Sequence, residues 1–468
     1  MKQKRKTGRR ELLALIGLGA NLAPLATCFA QRADRPAHIF SRDDAAYAAL
    51  NVGYNKRLSF LPKYIAACSS EAQIQQALAL ARQEKLPVAV RSGGHSFEGF
   101  SNNDGGLVVN VSQMKAIRWI DSQTVEIGAG CTLQEIQGAL FAKRRLLPAG
   151  SCGSVGIAGL TLGGGYGFFS RQHGLTCDSL FGLKMVTPDG KLIDTRDDAE
   201  LLWACKGGGN GNFGVVTSLC FKTQAMPPRF DSRVLKFRQL DAKRFGEVLQ
   251  AWFAVSDELT QECFAALVLN GRTITVLVTS FDRGVDLAAL TRPLAALATT
   301  AEAVIHADLP QAMKRYYGRK GPILFKNASA GMYRGLEDLL PLHEALFERV
   351  VAHPGIVFQV NTLGGRIADA AFEQASCFPH RQLPYLGELQ AYWERPQAGP
   401  ALMQAFESIQ ALFREQGITA HYRNYPDLNF PHWEQSYYGA NYARLQQVKR
   451  RYDPGDLLRY PQGIRPTV

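Results

Sequence analysis

Arg91-Ser92-Gly93-Gly94-His95-Ser96 and Ala149-Gly150-Ser151-Cys152-Gly153-Ser154-Val155-Gly156 read as two halves of one device. The second runs on into Leu162-Gly163-Gly164-Gly165-Tyr166-Gly167. Each half sets one nucleophilic side chain, His95 or Cys152, inside a run of glycines. Glycine lets backbone approach a ligand closely and leaves N–H groups free to point at it. A large planar or phosphate-bearing ligand held mainly by backbone is expected, with both nucleophiles in reach. A third glycine-rich segment, Lys206-Gly207-Gly208-Gly209-Asn210-Gly211-Asn212-Phe213-Gly214, suits a long ligand touched at several points.

Outward from the first loop, the order is strand, helix, strand. Leu61 to Cys68 reads as a strand, after a short helix at Ser41 to Asn51. Ser69-Ser70-Glu71 caps a helix in which Ile74, Ala77, Leu78 and Ala81 recur at helical spacing as far as about Glu84. Pro87 to Arg91 is the apolar strand that delivers the loop. This is an α/β unit, but no GxGxxG follows it, so the common dinucleotide fingerprint is absent. Strands at 107–111, 116–120 and 124–128 and a helix from Thr132 to Phe141 precede the second loop. A hairpin pairs Leu183 to Thr187 with Leu192 to Asp194 about a Pro-Asp-Gly-Lys turn. A helix from Asp197 to Ala204 enters the third glycine segment, and Val215 to Leu219 leaves it as a strand. Beyond Met226-Pro227-Pro228, alternating strands such as Thr273 to Val278 mix with amphipathic helices at 244–253, 342–351 and 400–416. The fold class is α+β.

At 468 residues the chain is long enough for two domains. Its 46% apolar and 20% charged content is that of a folded globular protein. The net charge is +12, but Lys and Arg are scattered, and their densest run, Lys2 to Arg10, lies in a leader. Nucleic-acid binding is therefore not expected. Nine cysteines form no CxxC pair and no disulfide-framework spacing, so no metal site is expected, and all but Cys152 read as small buried hydrophobes.

Residues 1–30 read as an export signal: basic residues ending in Arg9-Arg10, an apolar stretch from Leu12 to Leu25, then Cys28-Phe29-Ala30 as a cleavage site. The Arg pair favours the twin-arginine route over general secretion or a lipoprotein signal at Cys28. The apolar stretch is too short for a stable membrane span, and a periplasmic or secreted location follows.

RSGGHSFEG, AGSCGSVGIAGLTLGGGYG, YRNYPD, YYGANYARL and the tail YDPGDLL together resemble the berberine-bridge-enzyme-like flavin oxidases. These belong to the larger superfamily of p-cresol methylhydroxylase and vanillyl-alcohol oxidase. The resemblance covers nearly everything after the leader. It implies a PCMH-type FAD-binding domain of two subdomains at 31–227 and a substrate domain with an antiparallel sheet flanked by helices at 228–420. A C-terminal segment, 421–468, would return to the FAD domain. It also implies FAD attached twice, through His95 to the 8α methyl carbon and through Cys152 to ring carbon 6. Imidazole and thiolate are both competent nucleophiles toward an electron-poor ring. Arg91, Ser92, Gly93, Gly94 and Ser96 would serve the pyrophosphate loop, with Gly156, Gly159, Gly163 and Gly164 along the dinucleotide.

The implied reaction is a two-electron oxidation of a CH–OH group with O2 as acceptor and hydrogen peroxide as product. Tyr422 corresponds to the family's phenolate base, with Tyr425 the second choice. Gln390 would make a polar contact to substrate or phenolate, and as glutamine it disfavours alkaloid-type ring closure, which needs a carboxylate there. Asn424 would touch flavin or substrate. Val155 stands where a small valine goes with oxygen access. Sugars or other secondary alcohols are the expected small-molecule substrates. A natural-product tailoring enzyme and an inactive flavin-binding protein are the alternatives.

Overall fold

The computed structural model describes residues 38–318 and 321–467. The leader expectation falls outside them. The first strand-helix-strand unit forms as expected, with shorter elements. Strand β1 is His38–Phe40, β2 Tyr64–Ala67, helix α1 Glu71–Gln83, β3 Val88–Arg91 and β4 Leu107–Asn110. The sheet order is β1-β2-β4-β3, with β4 parallel to both neighbours and β1 antiparallel. Parallel strands need a crossover, and α1 supplies it. Ser70 Oγ caps α1 by accepting from the Gln73 amide at 3.4 Å, and Ile74, Ala77, Leu78 and Ala81 are buried as their spacing predicts. The expected helix at 41–51 keeps only Tyr47–Asn51. Asp44 Oδ2 accepts from the Ser41 amide (2.7 Å) and hydroxyl (3.0 Å), which holds that stretch in a turn instead.

A second, wholly antiparallel sheet follows. It contains β5 (Ile117–Trp119), β6 (Thr124–Gly128), β7 (Leu180–Val186), β8 (Leu192–Asp194) and β9 (Val215–Lys222), in the order β5-β6-β9-β7-β8. Helices α2 (Leu133–Ala142) and α3 (Ile157–Leu162) flank the Cys152 loop, and α4 (Ala199–Gly208) enters the third glycine segment. Gly207 in α4 has φ +124°, and a Cβ there would stand 2.9 Å from the Phe378 nitrogen, so the helix ends in a glycine kink.

The third sheet is antiparallel and has eight strands, two of them short pieces at Thr300–Ala301 and Ile305–Ala307. The main order is β10 (Phe230–Phe237), β12 (Thr273–Ser280), β11 (Cys263–Asn270), β14 (Ile356–Thr362), β15 (Tyr385–Trp393) and β13 (Leu324–Tyr333). Three amphipathic helices cover one face: α5 (Ala242–Asp257), α7 (His343–Ala352) and α8 (Gly399–Glu415). Their buried stripes, including Phe245, Trp252, Phe347, Phe406 and Phe413, share one apolar cluster with the sheet. The other face is left for a cavity. A short helix, α6 (Leu309–Lys314), packs with Phe168, Phe230 and Phe264 at one side of it.

The last helix, α9 (Tyr442–Tyr452), turns back to the first two sheets. Buried Lys449 donates to the Asn212 carbonyl (2.9 Å) and pairs with Asp453 (2.6 Å), while the Val88 amide donates to the Leu457 carbonyl (2.9 Å). The main apolar cores divide accordingly. One runs from Ala66 to Phe221 and resumes at Cys377 and from Phe430 to Ile464, and the other spans Leu235 to Ile418. No described helix is long and apolar enough to cross a membrane.

Candidate active site

The glycine loops and the bare face of the third sheet enclose a cavity of about 1150 Å³. The two loops that opened the sequence meet on its wall. A Cβ on Gly93 would stand 2.5 Å from the Gly156 nitrogen, and one on Gly156 would stand 2.5 Å from Ser92 Oγ. Only glycine at both positions lets the backbones cross there. Ser92 Oγ then donates to the Ala129 carbonyl at 2.6 Å.

His95 and Cys152 both line the cavity. The His95 ring stacks on Tyr54 at 3.9 Å between centroids. Burial lowers its pKa to about 4, so the imidazole is neutral and nucleophilic at ordinary pH. Cys152 is the one half-exposed cysteine among the eight described; the other seven are buried. Its Sγ lies 3.8 Å from Ser154 Oγ, and the Gly153 amide donates to the Tyr317 carbonyl at 3.0 Å. Val155, Gly159, Asn210 and Gly211 also line the cavity.

Three expected residues stand elsewhere. Arg91 does not line the cavity; its guanidinium donates to the Leu50 carbonyl at 2.6 Å, because the alternation of β3 directs it away. Burial lowers its pKa to about 10, which leaves it charged. Gly163 and Gly164 do not line the cavity either. A Cβ on Gly163 would collide with Asn424 Oδ1, and one on Gly164 would crowd Phe378 at 3.1 Å. Gly163 thus makes room for Asn424 of the C-terminal segment, and Gly164 for Phe378 and, at 3.5 Å, the Tyr422 ring.

What that room admits is Tyr422. Its Oη accepts from the Gly165 amide (2.9 Å) and from Asn424 Nδ2 (3.0 Å). Asn424 is itself held by donation to the Leu160 carbonyl (2.9 Å) and by Asn210 Nδ2 on its Oδ1 (3.2 Å). Two N–H donors converge on one phenol oxygen, an arrangement that stabilises a phenolate. Burial pushes the Tyr422 pKa up, and the donors oppose it. Tyr425 lies beside it, stacked on Phe97, with its hydroxyl 2.9 Å from that of Tyr166. Asn361 Nδ2 donates to Tyr166 Oη at 3.3 Å.

Gln390 lines the cavity and donates to Gln359 Oε1 at 3.2 Å. The residue that sequence reasoning missed is Glu388. Strand alternation puts Glu388, Gln390 and Tyr392 on one face of β15, and all three line the cavity. Glu388 is buried with no cation beside it among the described residues, and burial raises its pKa to about 8, so it is protonated at neutral pH. Its partners are amides, Asn327 (3.4 Å) and Gln390. The signal for it was the period-two pattern of Glu388-Leu389-Gln390-Ala391-Tyr392, and Tyr166 was visible only as part of a glycine motif.

A buried ion cluster ties the pieces together. Lys326 of β13 contacts Glu98, three residues after His95, and pairs with Asp427, five after Tyr422, at 2.7 Å. Arg57 balances Glu98 at 2.7 Å. Two cations and two anions leave no net charge, as burial requires.

A flavin dinucleotide suits this cavity on two observations. Two nucleophilic side chains, His95 and Cys152, line it, and Asn210 Oδ1 is buried on its wall without a donor among the described residues. Among the described residues no cluster could hold a metal ion.

Comparison with known proteins gives the same picture. Residues 62–196 match the FAD binding domain family and residues 421–465 the family described as berberine and berberine like. An FAD-linked oxidoreductase of Bacillus subtilis is 29% identical over 440 residues, covering 92% of this chain and 96% of the relative. A chitooligosaccharide oxidase of Gibberella zeae is 25% identical over 462 residues, covering 89% of each. The solved structure of a berberine-bridge-enzyme-like protein from Physcomitrella patens superposes with a TM-score of 0.86 at 22% identity, covering 92% of this chain and 97% of that one. The chain is an FAD-linked oxidoreductase that resembles the berberine-bridge-enzyme-like proteins over about nine-tenths of its length.

Proposed function

We propose that the chain is an oxidase of CH–OH groups, acting on a sugar or another secondary alcohol, with FAD carried on His95 and Cys152. The observation that carries this reading is the phenol oxygen of Tyr422, held by two N–H donors in the cavity that also receives His95 and Cys152. His95 and Cys152 would hold FAD, which would supply the acceptor for the substrate carbon's hydride and the route of two electrons to O2. Tyr422, once ionised, takes the hydroxyl proton, and the Gly165 amide and Asn424 hold the charge while it waits. Asn424 is thus read as orienting Tyr422. Gln390, Gln359 and Asn361 offer polar contacts to a hydroxylated substrate. Buried neutral Glu388 adds a further donor. Val155, small and on the cavity wall, leaves room for O2.

The division at 227/228 and 420/421 belongs to this reading, and the two separate apolar cores support it. The test joins two measurements on purified protein. Acid precipitation should leave the pellet yellow, and a panel of sugars and alcohols in air should yield hydrogen peroxide. A colourless pellet would refute covalent attachment. Substrates that bleach the flavin without peroxide in air would refute O2 as acceptor.

A further inference from the structure

The cavity face of the third sheet is divided in two. Strand register sets out its rungs. The deepest holds Asn361, Ala266, Leu277 and Val234 across β14, β11, β12 and β10. The next holds Glu388, Gln359, Val268 and Thr275 across β15, β14, β11 and β12. The outermost holds Asn327, Gln390 and Val357, then exposed Asn270 at the mouth. Along the rungs the amides and the carboxyl give way to Ala266, Leu277, Val234, Val268 and Val357, a mainly apolar stretch broken by Thr275 and, at the mouth, Asn270.

On the polar side, Asn327 is 5% exposed and its Oδ1 has no donor among the described residues, while its Nδ2 donates to Tyr392 Oη at 2.9 Å. A buried acceptor left open on a cavity wall calls for a donor from the occupant. On the other side Val234, Val268, Leu277 and Val357 line the cavity and are only half-buried. From β14 to β10 is three strand spacings, about 14 Å. A bare oligosaccharide along that shelf would lose water from its hydroxyls and find few partners beyond Thr275 and Asn270, while an apolar group would gain about 25 cal/mol per Å² covered.

We infer that the substrate is an amphipathic alcohol. Its hydroxyl-bearing head meets Asn327, Gln359, Glu388 and Gln390, and its alkyl or aryl body lies on the shelf of Val234, Val268, Leu277 and Val357. An aglycone-bearing glycoside is one such molecule. This rests on the proposed oxidation of a CH–OH group and narrows its substrate.

The test titrates the flavin absorbance of the holoenzyme with matched methyl and octyl members of the β-D-glucoside and β-D-maltoside series, below micelle formation. Glycerol and its 1-octyl ether form a third pair. The octyl member should bind on the order of 100-fold more tightly in at least one pair. That advantage should shrink at least tenfold in Leu277→Asn and, in case that variant folds poorly, several-fold in the near-isosteric Val268→Thr. Equal binding within every pair, or no response to any of the six compounds, overturns the inference, as does an octyl advantage that survives both substitutions. Turnover of methyl compounds with no octyl preference sinks the shelf and leaves the reaction standing. Tight octyl binding with no flavin reduction by any alcohol does the reverse.

Discussion

The two walls of the cavity are built by opposite means. The glycine-loop wall works by missing side chains: Gly93 and Gly156 cross, and Gly163 makes way for Asn424. The sheet wall works by side-chain direction: Glu388 and Gln390 face inward because the strand alternates, while Leu389 between them joins the core. Between the walls sits Tyr422, which the loop side orients through Gly165 and Asn424. Backbone recognition is intolerant of any added atom, whereas a side-chain wall can be retuned residue by residue. The loop wall should therefore be brittle and the sheet wall graded.

The largest effect is expected where the walls meet. Tyr422→Phe should retain FAD and slow flavin reduction by roughly 10³- to 10⁴-fold, measured by anaerobic stopped flow. The wild-type rate should rise with pH, since the base must first lose a proton, and the variant should be flat. An unchanged rate removes Tyr422 from the chemistry.

Next comes the loop wall. Gly163→Ala places a methyl against Asn424 and should cost about 100-fold in reduction rate, the scale of losing one donor to a developing oxyanion. Gly93→Ala should instead block FAD loading, read as a colourless purified protein. If both variants behave like wild type, the loops are looser than their crossing implies.

A smaller change is expected from Cys152→Ser. The flavin should stay in the acid pellet through His95 and be reduced more slowly than in wild type. Flavin released entirely into the supernatant would mean that His95 forms no link.

The smallest effect belongs to the sheet wall. Glu388 has a pKa near 8 when folded, against an ordinary value of 4.5. Between those values the folded chain binds more protons than the unfolded one, so wild-type stability falls as pH rises. Glu388→Gln lacks that loss. Its stability relative to wild type should grow by on the order of 1 kcal/mol or more from pH 5 to pH 8, followed by thermal melts. Parallel curves would show that Glu388 ionises normally.

Local chemistry made much of this legible. Capping at Ser70 and the spacing of Ile74, Ala77, Leu78 and Ala81 located α1, and the Pro-Asp-Gly-Lys turn located the β7–β8 hairpin. The glycine runs marked the loops because tight backbone approach requires glycine wherever it occurs. Other features depended on distant partners. Gly163 and Gly164 looked like ligand contacts, but they make room for Asn424 and Phe378, residues more than 200 positions away. Arg91 sits in a telling motif, but its side chain is spent on Leu50. Glu388 went unnoticed beside Gln390 because alternation shows which residues share a face and not which face meets the cavity.

By itself, the sequence determined most of the elements, the two nucleophile-bearing loops and the family resemblance, since propensity, capping and glycine placement act over a few residues. Only the tertiary structure decided that Gly165 and Asn424 hold one phenol oxygen, that Glu388 is buried with no cation beside it among the described residues, and that the sheet wall runs from amides and a carboxyl into a mainly apolar stretch. Each of these depends on strand register and on long-range closure, which bring together groups that no local pattern relates.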